Sequence, residues 1–174
     1  MALTTIAVTA TDHFAKGGVK TLSLCEFDSA TNIDLVPATK IATVTAQGST
    51  IVVIEFEKET AKMTSSTSQE RGLAMTTIGI EGYIPNINAA KLVSLEALVG
   101  VNLNAVVTDY NGVQLLVGLD SVLGSGLGSV GTTTSFGLFL ESIELDLGAA
   151  LSDGSGATLK LTAVQGELPY TVVA

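Results

Sequence analysis

A few residues and motifs in this 174-residue chain are of types that do chemistry, and each is short of a partner. His13, the single histidine, follows Asp12, a pairing that suits a general base steadied by a carboxylate. A hydrolase built on it needs a serine on a strained strand-to-helix elbow, and the chain contains no G-x-S-x-G. Cys25, the single cysteine, sits in the alternating run Leu22-Ser23-Leu24-Cys25, where a small buried apolar residue is expected rather than a nucleophile. It also excludes any disulfide within one chain. Gly126-Leu127-Gly128-Ser129-Val130-Gly131 matches G-x-G-x-x-G, with Glu144 and Asp146 beyond it. Dinucleotide binding requires a helix to start at that loop, so that its first amides meet the pyrophosphate. Thr132-Thr133-Thr134 follows instead, then Phe136 and Leu138 in a strand-like pattern, so a flexible Gly/Ser connection is expected. Asp109-Tyr110-Asn111-Gly112 opens like a calcium loop, but Val113 takes the next ligand position and the glycine comes too early. One His, one Cys and scattered acids leave a metal short of ligands. No catalytic residue, cofactor or metal is expected.

Composition narrows the remaining classes. Apolar residues make up 47% of the chain and charged ones 14%, well below the usual quarter or so, with a net charge of −9. Mean hydropathy is +0.51, which excludes a disordered chain. Eight basic residues against 17 acidic ones exclude tight binding of double-stranded nucleic acid. Aromatics are 5% with no Trp, which argues against a β-barrel ligand carrier or enzyme with an aromatic-lined pocket. The opening Met1-Ala2-Leu3-Thr4-Thr5-Ile6 has no basic stretch, and Asp12 interrupts early, so no secretory leader is expected. The uncharged run 121–140 is long enough to span a membrane, but its Gly, Ser and Thr suit hydrocarbon poorly, so no membrane insertion is expected.

The elements that would position any site have a period of two. Thr5–Thr9, Lys20–Cys25, Ile41–Thr45, Ile51–Phe56, Ile78–Glu81, Leu103–Val107, Val113–Val117, Ser142–Leu147, Thr158–Thr162 and Tyr170–Val173 all alternate. Short Thr- and Val-rich segments separated by Gly, Asn and Asp predict one mainly-β domain over 1–174, an antiparallel β-sandwich or barrel. Asn111-Gly112 predicts a type I′ hairpin and Asp153-Gly154-Ser155-Gly156 a looser connection. One flanking α-helix is expected at about 89–99, where Leu92, Leu95, Leu98 and Val99 fall at spacings of three and four. Asn88 is its expected cap and Gly100 its terminator. Residues 57–75 read as a long polar loop, hydroxyl-rich at the centre, with Lys58, Lys62 and Arg71 interleaved among Glu57, Glu59 and Glu70. In Ser142–Leu147, Glu144 and Asp146 alternate with Ile143, Leu145 and Leu147, which puts the two acids on the solvent side.

The order of these elements resembles the tail tube proteins of tailed bacteriophages, which are related to the type VI secretion tube. The residues that carry the likeness are the polar segment 57–75, Thr77–Pro85, the helix, the hairpin Val106–Gly118, Leu159–Thr162 and Glu167–Tyr170. It covers the chain from about Ile51 onward, while the stretch up to about Thr50 and the Gly-rich run 124–131 depart from the pattern. The resemblance implies a structural virion protein that self-assembles into stacked, hexameric rings, contacts other tail proteins and lets DNA pass during ejection. It implies assembly in the host cytoplasm and residence in the virion tail. On this reading Lys58, Glu59, Lys62, Ser65, Glu70 and Arg71 belong to a ring-stacking loop, and Glu144 and Asp146 are lumen acids. An acidic wall would repel DNA over about 8 Å at cellular salt, although a charge of −9 serves solubility equally well. Other structural classes fit the composition: a secreted adhesin or fibre subunit, disfavoured by the absent leader and absent cysteine pair, and a capsid decoration or tail terminator protein.

Overall fold

Alternating segments become strands wherever a neighbour can cover their apolar face. The computed structural model describes residues 17–26, 32–36, 38–46, 51–70, 73–119, 137–146 and 155–173. They form β1 (Val19–Glu26), β2 (Asn32–Val36), β3 (Ile41–Ala46), β4 (Ile51–Glu55), β5 (Lys62–Glu70) and β6 (Leu73–Pro85). The helix α1 (Ala89–Glu96) follows, then β7 (Leu103–Asp109), β8 (Gln114–Val117), β9 (Leu138–Asp146), β10 (Gly156–Gln165) and β11 (Tyr170–Val173). The chain is mainly β and sandwich-like, with a single helix among the described residues. Thr5–Thr9, Asp12, His13, Arg71, Gly126–Gly131, Leu147 and the Asp153-Gly154 pair lie outside those residues.

One layer runs β4-β1-β7-β8-β11-β3-β2 and the other β9-β10-β6-β5; a single pair, Leu103 opposite Leu138, joins them. The main core lies between the layers. Leu22, Leu24, Ile54, Phe56, Ala105 and Val107 of the first meet Ile78, Ile80, Leu159, Leu161 and Ala163 of the second. A smaller cluster of Ile33, Ala42, Val106, Leu116, Leu119 and Tyr170 forms on the other face of β7 and β8. Cys25 is buried, as its place in the alternation predicts.

Pairing is antiparallel except between β3 and β11, which run parallel, so the sheet is mixed rather than wholly antiparallel. The C-terminal strand is fastened in that orientation by the Thr171 amide donating to the Lys40 carbonyl at 2.8 Å. The Glu167 carboxylate, which accepts from both Lys40 Nζ and the Tyr170 hydroxyl, adds a second tie.

Three local expectations need correction. The segment 57–75 is not a long loop: after a turn at residues 58–60 it becomes β5, paired with β6 over nine positions from Lys62–Glu81 to Glu70–Leu73. Hydroxyl side chains give no apolar alternation, so the strand is held by backbone pairing and by contacts such as the 3.0 Å Thr67–Thr76 hydroxyl bond. The helix stops at Glu96, with a turn through Gly100 (φ 74°). Asn88 caps it as expected, its side chain accepting from the Lys91 amide at 2.9 Å. Of the four packing residues, only Leu95 and Leu98 are buried; Leu92 is 39% and Val99 62% exposed. Leu95 is the helix residue buried in the core, joined by Leu98 of the turn that follows, and an open groove lies between α1 and β4.

The hairpin joining β7 to β8 is also not type I′. Only Gly112 has positive φ (82°), and the Asp109 carboxylate organises the turn by accepting from the Asn111 and Val113 amides, both at 2.8 Å. Gly112 N donates to the Asp109 carbonyl at 3.3 Å, a type I turn followed by a left-handed glycine. An Asx turn of this kind removes the need for a positive φ at Asn111.

Candidate functional site

The polar surface that collects the charged residues is the outer face of β9-β10-β6-β5. Its inner face is fixed by Ile78 and Ile80 on β6 and by Leu159 and Leu161 on β10, all buried. The period of two then turns Glu81, Lys160 and Thr162 outward. Register aligns them: Lys62 stands opposite Glu81, Glu81 opposite Lys160, and Lys160 opposite Ser142, two residues before Glu144 on the same face. Lys62 Nζ lies 3.2 Å from Glu81 Oε2 and Lys160 Nζ 3.6 Å from Glu144 Oε1. A ladder of alternating charge therefore crosses all four strands.

A bulge sharpens the face. The β9–β10 register shifts between Lys160 and Leu161, and the extra residue, Glu141, accepts from Thr162 Oγ1 at 2.5 Å. Lys62, Thr64, Glu81, Glu141, Lys160 and Thr162 line a shallow depression of about 90 Å³ there. With Glu144 and Asp146, these residues carry two cations and four carboxylates, a net charge of −2. Each exposed pair contributes roughly 0–1 kcal/mol, so the ladder sets surface charge more than stability.

The two groups of residues singled out in the sequence are rearranged. Lys62, expected in a ring-stacking loop, and Glu144, expected on a lumen wall, lie on the same sheet face. Glu81 and Lys160 bridge them, two residues the sequence reading passed over. Ser65 is exposed on the opposite side of β5 from Lys62, because the two positions differ in parity. Lys58 and Glu59 occupy the turn before β5, held where Thr60 Oγ1 donates to the Glu57 carbonyl at 2.7 Å. Glu70 ends β5 at the far tip, eight residues beyond Lys62, or about 27 Å at strand spacing. Of the five that are described, Lys58, Glu59 and Lys62 stand at one end of the ribbon, Ser65 within β5 and Glu70 at the other end, so they do not form one loop.

Glu144 and Asp146 are exposed, as the alternation predicts. Ile143 packs against the core. Leu145, expected to be core-facing, is 57% exposed. It lies near the end of β9, opposite Ala157, where only β10 borders the strand among the described residues.

Glycines admit aromatic rings beside this sheet. A Cβ on Gly82 would lie 2.5 Å from the Phe56 ring, so Gly82 is what lets Phe56 cover the inner side of β6. Among the described residues no group of three or more His, Cys, Asp or Glu is close enough to hold a metal ion, and no helix is long and apolar enough to cross a membrane.

Comparison with family models, with curated proteins and with solved structures yields no match to this chain.

Proposed function

We propose that this chain is a structural subunit, without catalytic activity, that assembles into stacked rings forming the tail tube of a tailed bacteriophage. The observation that carries the reading is the pair of unpaired edges on the layer β9-β10-β6-β5. Among the described residues β5 has no second neighbour, and β9 is bordered on its outer side only at Leu138. The layer is fully antiparallel with an even number of strands. Copies related by rotation about an axis along the strands can therefore set β5 of one against β9 of the next, antiparallel again. Such a head-to-tail interface repeats until it closes, which is how rings form. Closure also removes the exposed edges that otherwise invite uncontrolled pairing.

On this reading the ring is hexameric, and the acidic outer face of the layer lines the lumen. DNA passes without sticking, repelled over about 8 Å at cellular salt. The β5–β6 ribbon, whose far end is at Glu70, reaches the adjacent ring. The subunit works in the virion tail, against other copies of itself and other tail proteins, after assembly in the host cytoplasm. Negative-stain microscopy of the purified protein tests this: rings or tubes of uniform width are expected, and particles that remain monomeric at high concentration would refute it.

A further inference from the structure

The Asn111-Gly112 pair at the β7–β8 turn carries a reactivity that no assembly role uses. Of the six asparagines in the chain, only Asn111 precedes a glycine. Asparagine is a thermolabile side chain, and a following glycine has no Cβ to crowd its backbone nitrogen as that nitrogen approaches the side-chain amide. The turn leaves the pair accessible: Asn111, Gly112 and Val113 are all exposed, and a Cβ on Gly112 would find nothing within 4 Å. The Gly112 amide donates to the Asp109 carbonyl at 3.3 Å, beyond the usual range of about 2.7–3.2 Å, so it is weakly held. The Asn111 side chain is held more firmly. Its Nδ2 donates to Asp109 Oδ2 at 3.0 Å, while the Asn111 and Val113 amides both donate to Oδ1 at 2.8 Å. One carboxylate therefore fixes the side-chain amide and accepts from the backbone amides on either side of the Gly112 nitrogen.

We infer that Asn111 is a site of spontaneous deamidation and that Asp109 sets its rate by holding the turn closed. The chemistry needs only water. Solvent hydroxide takes the Gly112 amide proton, and the nitrogen forms a bond to Asn111 Cγ. The Cγ–Nδ2 bond breaks, the leaving nitrogen taking a proton from water to depart as ammonia. A second water then opens the five-membered imide at either carbonyl. One opening leaves an aspartate at position 111; the other routes the backbone through the side-chain carboxyl and lengthens it by one carbon. Asp109 opposes the first step in two ways: its charge disfavours an anion on the Gly112 nitrogen, and its bond to Nδ2 ties down the amide under attack. The product reverses that bond. A carboxylate stands where Nδ2 donated, so two like charges meet across the contact. The turn then opens, and with the longer backbone the 3.0 Å bond from the Asp109 amide to the Val113 carbonyl is lost as well. The change is irreversible, adds one negative charge to the −9 of the chain and loosens the tip where Val19 pairs with Asp109. None of this depends on the tube reading, because every group belongs to one turn of one chain.

Peptide mapping by mass spectrometry tests it, on the full chain incubated folded in mildly alkaline buffer. The peptide containing Asn111 should gain one mass unit and resolve into two products, while the other five asparagines stay unchanged. A synthetic peptide of residues 105–117, in which no turn holds Asp109 in place, should convert at least about 10-fold faster, the effect of one hydrogen bond to a charged group. Asp109→Ala and Asp109→Asn should close that gap while hydrogen exchange at Leu159 and Leu161 stays at the parent's level. The Asn variant keeps an oxygen for the two backbone amides, so its acceleration reports the lost charge and not a lost turn. If neither variant folds, the parent held in urea should convert at the peptide's rate. In the converted fraction, separated by its added charge, the Asp109 and Val113 amides should exchange at least about 10-fold faster than before. An Asn111 unchanged in every folded sample while the synthetic peptide converts would overturn the proposal. So would folded Asp109 variants that convert no faster than the parent.

Discussion

Among the described residues the β4 edge and the β5 edge are each paired on one side only, yet their chemistry is opposite. From Thr64 to Gln69 β5 presents only hydroxyls and an amide to solvent, on both of its faces. β4 presents Ile51 and Val53 beside an apolar groove walled by α1. A polar edge tolerates water, so it can wait unpaired until a second copy arrives. An apolar edge gains from being covered at once, because exposed apolar strands associate indiscriminately. The contrast supports the proposal that β5, the polar edge, is the one that meets a second copy.

Substitutions on the two sides should separate these roles. The largest effect is expected near β4: Leu95→Asp places a charge where α1 meets the core and should cost more than about 4 kcal/mol, read as loss of soluble, folded protein. Gly82→Val drives a side chain into the Phe56 ring and should cost about 1–3 kcal/mol in urea unfolding, with the α1 groove reshaped as Phe56 shifts.

On the β5 side the costs shrink. Thr67→Ala removes the hydroxyl partner of the fully buried Thr76 and should cost about 1–2 kcal/mol. The double variant Thr67→Val/Thr76→Val should recover most of that, since neither hydroxyl then needs a partner. Glu144→Lys/Asp146→Lys breaks the contact to Lys160 and should change stability by less than about 1 kcal/mol. Tubes built from it should retain DNA in a salt-dependent way, measured by filtration at rising ionic strength. Ser66→Lys/Ser68→Lys should leave subunit stability within about 0.5 kcal/mol of the parent, yet abolish rings in the microscope, because like charges then line the pairing edge. If that double variant still forms rings, β5 is not the contact.

Strands with an apolar face were legible because alternation reports burial directly: Ile143 and Leu159 sit where their parity puts them. The Asn88 cap was legible for the same local reason, whereas the helix end was not: α1 stops at Glu96 with Ala97 as its cap, and Gly100 lies in the turn beyond. β5 was not, since a strand bordering water needs no apolar alternation and Thr, Ser and Gln serve a loop equally well. The exposure of Leu145 was hidden because it depends on which strands flank β9 and not on its own pattern. The charge ladder was hidden for a related reason. Lys62, Glu81, Lys160 and Glu144 are each readable as outward-facing, but only the β5–β6, β6–β10 and β9–β10 registers bring them together. Register between distant strands is set by the packed whole.

The central claim is that β5 of one copy pairs with β9 of the next. It is tested most directly by placing the photo-crosslinker benzoylphenylalanine at Ser66 and assembling an equal mixture of ¹⁵N-labelled and unlabelled protein. After irradiation, mass spectrometry of the digested product locates the crosslinks. Products joining the Ser66 peptide to residues 138–146, with mixed isotopic labels, are expected. Crosslinks confined to one chain, or landing on any strand other than β9, would contradict the account.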